Sequence, residues 1–234
     1  MNQPDRYADA EPLIPDWAAP VYLAMSAIAA TVYFGLDLVF AAAPGMAISK
    51  TLGIALMAAY AAFSRAPLLC LALILSACGD YALAMDPPAR EAGMAFFGLA
   101  HIAYIMLFAL AIVRFGWRKD GLILLIALAA FSGALYAWLQ PGLGTLAVPV
   151  TAYLGVILVM AALAALVNGP RLITLGAILF VLSDSLIAAG WFRGLEVQWG
   201  RFDLHGAAIW ITYYLAQISI AAGVVRMKMA AAGD

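Results

Sequence analysis

This chain has little charge. Asp, Glu, Lys and Arg make up 11% of its 234 residues, where soluble domains carry about 25%. Its 12 basic and 13 acidic residues nearly cancel, for a net charge of -1. The basic residues are scattered, which leaves no surface for a nucleic acid backbone. There are two cysteines, Cys70 and Cys78, eight positions apart on one apolar stretch and too far along a helix axis to bond each other, so a disulfide framework is excluded. The two histidines, His101 and His205, lie in separate stretches without an HExxH-type pair, and no metal is expected. P-loop, GxGxxG and GxSxG patterns are missing, which removes support for nucleotide chemistry, a dinucleotide cofactor or an ordinary serine hydrolase. No cofactor is expected.

What the chain does have is apolar sequence: 67% hydrophobic residues and a mean hydropathy of +1.01, beyond what a soluble core of this length needs. The fold class is all-α, a polytopic membrane protein whose first partner is the lipid bilayer. Runs long enough to cross a bilayer, about 20 residues each, are marked off by Pro, Gly and charge. They fall at 17–36, 47–63, 66–85, 93–113, 121–139, 145–167, 172–191 and 206–225. The expectation is eight transmembrane helices in one domain, 17–226, between a polar tail, 1–16, and a short tail, 227–234. The opening segment MNQPDRYADAEPLIPD is acidic and proline-bearing, without the order of a cleavable signal, so the first run is expected to remain as a helix.

With eight spans both ends share a side. That side holds Arg6, Arg65, Arg114, Arg118, Lys119, Arg171, Arg226 and Lys228, against Lys50, Arg90, Arg193 and Arg201 on the other. The positive-inside rule then places both termini in the cytoplasm, in a bacterial plasma membrane.

Against this background two aspartates stand out, Asp80 in LILSACGDYALA and Asp184 in AILFVLSDSLIAAG. A carboxylate at membrane depth costs on the order of 2.5–3.5 kcal/mol even on insertion scales, and two in look-alike segments suggest paired work. The orientation puts both toward the exoplasmic side, with Asp80 about 7–8 Å of helix rise from Met85. His101 follows Asp80 by 21 residues and His205 follows Asp184 by 21, hinting at a parallel four-plus-four repeat.

Polar company lies at the same depth. Gly98, His101 and Tyr104 share one face of the fourth run, and Tyr213 and Gln217 share one face of the eighth. Tyr153 follows Pro149, whose ring is expected to open the backbone ladder. Asp37 and Lys50 are close enough in sequence to pair. Each also has a structural reading: interhelical hydrogen-bond glue for His101 and Gln217, interfacial anchoring for Tyr153 and Tyr213, snorkelling for Lys50, and an ion pair for the aspartates. Ser183 reads as packing or a backbone hydrogen bond.

The ordered blocks LSACGDYALA, FFGLAHIAYI, VPVTAYLGVILVM, GAILFVLSDSLIA and TYYLAQ resemble those of the YhhN-type lysoplasmalogenase family of eight-helix membrane proteins. Lys50 resembles the family's lysine at the start of the second helix, with Thr51 where a proline usually follows. The resemblance implies hydrolysis of the vinyl ether bond of a lysophospholipid, the lysoplasmalogen, to a fatty aldehyde and glycerophosphoethanolamine or glycerophosphocholine. It also implies catalytic carboxylates at Asp80 and Asp184. Such hydrolysis needs one protonated and one charged carboxyl group. Asp80 as acid and Asp184 as base and cation stabiliser is the working assignment, with the reverse open. His101 and Tyr104 are expected to tune Asp80, Tyr153 and Gln217 to hold water or glycerol oxygens, and Lys50 to meet the phosphate. A proton-coupled small-molecule or lipid transporter built on the Asp/His cluster is the main alternative, and a non-enzymatic lipid sensor a third.

Overall fold

A computed structural model describes residues 17–39 and 46–231; the side chains of 37–39 and 46 lie outside the description. The apolar runs are helices, since in hydrocarbon a chain must satisfy its own backbone donors and acceptors. They are α1 (Ala18–Val39), α2 (Met46–Phe63), α3 (Pro67–Leu83), α4 (Arg90–Phe115), α5 (Gly121–Leu143), α6 (Ala147–Leu166), α7 (Arg171–Arg193) and α8 (Leu204–Ala230). Among the described residues five helical runs are long and apolar enough to cross a membrane: Ala18–Leu36, Arg90–Phe115, Gly121–Leu166, Arg171–Arg193 and Leu204–Ala230. α2 and α3 are apolar but shorter.

Boundaries shift from the sequence expectation for local reasons. α3 stops at Leu83, so Asp80 sits in its last turn. α5 continues through Pro141 to Leu143, because a proline this near a helix end disturbs little of the ladder. A single 3-10 turn at Gly144–Leu146 joins it to α6, and Gly144, at φ +52°, takes the backbone conformation that lets the chain reverse. Pro149 does not open a ladder: it is the third residue of α6, in a first turn whose N–H groups have no intrahelical acceptor anyway. Between α7 and α8 the long loop forms a two-stranded hairpin, β1 (Gln198–Trp199) and β2 (Phe202–Asp203). Gly200 at φ +60° occupies the first position of its two-residue turn. Asp203 then caps α8, its Oδ1 accepting from Gly206 N at 2.9 Å, which starts that helix at Leu204.

Sequential helices pack against each other except α4 and α5; α4 packs instead on α6, α5 also on α7, and α8 on α2. Where backbones come closest the contact residue is glycine. A Cβ on Gly121 of α5 would stand 2.3 Å from the Ala165 carbonyl oxygen of α6, and one on Gly176 of α7 would stand 2.6 Å from the Ala216 carbonyl oxygen of α8. Small residues of this kind let membrane helices approach closely.

The two ends of the bundle differ. One carries Arg65, Arg114, Arg118, Lys119, Arg171, Arg226 and Lys228. There Arg118 N donates to the Leu166 carbonyl at 2.9 Å, the Arg118 side chain bonds Thr174, and Lys228 bonds the carbonyl of Arg65. Asp120 accepts from Arg171 at 2.5 Å. That hydrogen bond, then the Arg171 and Arg118 charges, hold the exposed Asp120 carboxyl below its usual 3.8. The opposite end carries the polar residues taken up next.

Candidate functional site

Asp80 is buried in the last turn of α3. Tyr213 Oη, from α8, donates to its Oδ2 at 2.7 Å, and Lys50 Nζ, from the start of α2, stands 3.8 Å from its Oδ1. The lysine is also seated 5.8 Å from the centre of the Trp210 ring, a position that favours a cation. Gly79 beside Asp80 makes room for Phe97: a Cβ there would lie 2.7 Å from the ring.

Asp184, midway along α7, has a second set of partners. Tyr153 Oη donates to its Oδ2 at 2.5 Å. His101 Nε2 lies 3.3 Å from the same oxygen and 3.1 Å from the Tyr153 hydroxyl. The imidazole is fully buried, its edge against Phe180 at 4.7 Å between ring centres. Its Nδ1 finds no partner among the described residues. The Asp184 side chain keeps 14% of its surface exposed, against 2% for Asp80.

Both carboxyl groups face one polar chamber of about 510 Å³. It is floored by Asp80, Asp184 and Tyr213, flanked by Lys50, and covered by the connection to α8 through Glu196, Gln198 and His205. A smaller chamber of about 70 Å³ adjoins it at Asp184.

Lys50 pairs with Asp80; the side chain of Asp37, its other expected partner, lies outside the described residues. Other sequence expectations need correction. His101 bears on Asp184 rather than Asp80. Tyr104 does not reach Asp80 either: its hydroxyl donates to Gln217 Oε1 at 2.5 Å, in the fully buried layer beneath the aspartates. Gln217 therefore serves Tyr104 and does not line the chamber, while its Nε2 has no partner among the described residues. Ser183 Oγ donates to the Ile209 carbonyl at 3.1 Å, as its structural reading required. His205 sits in the first turn of α8 with Nε2 3.1 Å from the Leu186 carbonyl, so the two histidines at equal spacing occupy different surroundings.

Among the chamber residues that the sequence reading does not single out are Trp191 and Phe97, while Arg90 is considered there only as an ion-pair partner for the aspartates. Arg90 begins α4, and its guanidinium lies 5.3 Å from the centre of the Trp191 ring at the chamber rim. An aromatic near a helix end is an ordinary feature of membrane boundaries, so Trp191 carried no signal. Among the described residues no three His, Cys, Asp or Glu side chains come together as metal ligands would.

Asp80 and Asp184 thus face the same space with different partners, a lysine and a tyrosine for one and a histidine and a tyrosine for the other.

Proteins named "Lysoplasmalogenase" from Mycobacterium bovis (strain ATCC BAA-935 / AF2122/97) and Mycobacterium tuberculosis (strain CDC 1551 / Oshkosh) are each 33% identical over 161 residues, covering 65% of this chain and 58% of theirs. The chain thus spans less than two thirds of the length of these curated relatives. No solved structure matches it. The model of the YhhN family matches residues 45–224, a stretch that contains Lys50, both aspartates and every tyrosine that holds them, and this chain belongs to the YhhN family.

Proposed function

We propose that this protein is a lysoplasmalogenase, hydrolysing the vinyl ether bond of a lysoplasmalogen to a fatty aldehyde and glycerophosphoethanolamine or glycerophosphocholine. The observation that carries the reading is the pair of differently held carboxyl groups, Asp80 with its lysine and Asp184 with its tyrosine and histidine, facing one chamber. The names of the two mycobacterial relatives support it.

Vinyl ethers resist base and yield to acid. Protonation of the β-carbon leaves an oxocarbenium ion at the carbon bonded to oxygen. The lysine pairing favours reversing the working assignment: Asp80, beside Lys50, serves as the carboxylate, and Asp184 as the acid. Asp184 gives its proton to the β-carbon. The cation forms near the Asp80 carboxylate, which takes a proton from water as that water adds to the adjacent carbon. In the resulting hemiacetal the carbon–oxygen bond to glycerol breaks. Asp80 returns its proton to the departing glycerol oxygen, and the hemiacetal hydroxyl gives its proton to Asp184. Both side chains regain their starting states, and one water is consumed. Tyr153 and Tyr213 are positioning residues for Asp184 and Asp80. Lys50 is committed to Asp80, so Arg90 at the rim is the cation for the phosphate.

In the membrane this reading has eight spans, α1 to α8, in one domain over 17–226, with the basic end cytoplasmic and the chamber toward the exoplasmic side. The parallel repeat would pair α3 and α4 with α7 and α8, supported by the correspondence between the α4–α6 and α8–α2 packings. A transporter would need a second opening. The chamber's wall residues all lie at one end, and Tyr104, Phe108, Met57 and Ile220 fill the bundle beneath.

The test is release of fatty aldehyde from a purified lysoplasmenyl lipid by the wild type, Asp80→Asn and Asp184→Asn. Aldehyde from the wild type and a loss of about a hundredfold or more in each variant is expected. No aldehyde from the wild type would sink the hydrolase. Equal rates in all three would sink the carboxylate mechanism.

A further inference from the structure

The smaller chamber adjoining Asp184 differs in character from the polar one. Met94 of α4, Val150 and Tyr153 of α6, and Ala188 and Phe192 of α7 enclose it. Apart from Tyr153 and Asp184 its walls are hydrocarbon, thioether or aromatic. Behind them Leu139 and Leu143 of α5 pack with Val150 into a small core of their own. Asp184 and Trp191 belong to the walls of both chambers. A carboxyl group between a wet polar space and a dry apolar one is a costly arrangement unless something with the same division occupies it.

We infer that the apolar chamber takes the substrate's alkenyl chain from its second carbon outward, with Ala188 and Val150 setting how a long chain is accepted; the inference rests on the hydrolase reading above. A vinyl ether is the bond at which a polar head meets a hydrocarbon chain. With the chain in the apolar chamber, its second carbon, the one that receives the proton, lies on the Asp184 side. The ether oxygen and first carbon lie on the polar side, where water and Asp80 are. The division of space thus orients the substrate, and it fits Asp184 as the proton donor on geometry alone.

Two measurements test it, both on full-length protein in lipid nanodiscs. In the first, lysoplasmenyl lipids of short and long alkenyl chain are hydrolysed by wild type and by Ala188→Phe, which fills the chamber. kcat/KM on the long chain is expected to fall about tenfold or more, and on the short chain by less than about twofold. A loss that ignores chain length overturns the proposal. In the second, which needs no turnover and so stands if Ala188→Phe folds poorly, a fatty alcohol brominated near its head is titrated against tryptophan fluorescence. Quenching should lose its largest component in Trp191→Phe. Quenching that Trp191→Phe leaves unchanged overturns the chamber's role even if aldehyde is released. Quenching as expected without any aldehyde would instead remove the hydrolase reading and leave a chain-binding site.

Discussion

Lys50 and Asp80 stand 3.8 Å apart and tie the start of α2 to the last turn of α3, with the lysine 18% exposed and the aspartate 2%. Removing the lysine would leave the carboxylate with Tyr213 alone. Lys50→Met is therefore expected to destabilise the protein by roughly 3 kcal/mol, the low end for a broken buried pair because the ammonium keeps some solvent. Lys50→Met combined with Asp80→Asn should recover most of that stability and none of the aldehyde release. Thermal unfolding in detergent, run beside the aldehyde assay, checks both. A single variant as stable as the wild type would refute the pairing.

Tyr153→Phe keeps the ring against His101 and removes only the hydroxyl that donates to Asp184. Loss of one positioning hydrogen bond of about 1.4 kcal/mol predicts a tenfold fall in kcat. KM should hardly move, since the phenol touches the acid and not the head group. Steady-state kinetics would separate the two; a changed KM with an intact kcat contradicts the assigned role.

Arg90→Ala should act the other way. The guanidinium over Trp191 is at the rim, far along the head group from the reacting carbons. KM is expected to rise about fivefold, worth about 1 kcal/mol, with kcat unchanged. Arg193→Ala is the control, because that guanidinium lies over Trp138 instead. Equal effects from both arginines would argue for a general electrostatic role.

At the other end, Asp120 offers a prediction in pH. Its folded carboxyl is held below its ordinary value, by the Arg171 hydrogen bond first and by the charges of Arg171 and Arg118 after it. A depressed value stabilises the fold above the ordinary carboxyl range and is lost as pH falls through the folded value. Amide exchange around residues 117–122 should therefore quicken as pH drops below about 4. Asp120→Asn should show the quickened exchange at neutral pH too, with aldehyde release unchanged. Exchange that is equally protected in Asp120→Asn would show that the pair does not hold this corner.

The helices were legible because apolar runs and their breaks follow the bilayer's demands, and the two aspartates because burying them is costly. Partnerships were not. His101 and Tyr104 share a helix face by spacing, yet one reaches α7 and the other α8; spacing along a helix does not identify which neighbour stands opposite. Lys50 was among the three cations considered for the aspartates, and the packing of α2 on α3 is what brings it to Asp80. Pro149 was read from its chemistry without its place in the helix, and in a first turn that chemistry has little effect. The apolar chamber has no signature at all, because Ala188, Val150 and Met94 look like any lipid-facing residues until three helices surround them.

The contact of Gly176 with the backbone of α8 lies away from both aspartates. Because no side chain intervenes, α7 and α8 have no soft layer through which to slide. Asp184 rides on one of these helices and Tyr213, which holds Asp80, on the other. A single methyl group at position 176 would wedge them apart, and the injury would be felt as a misaligned proton donor and acceptor rather than as a missing functional group. The spacing on which acid–base cooperation depends thus turns on one hydrogen atom where any other residue would carry a carbon.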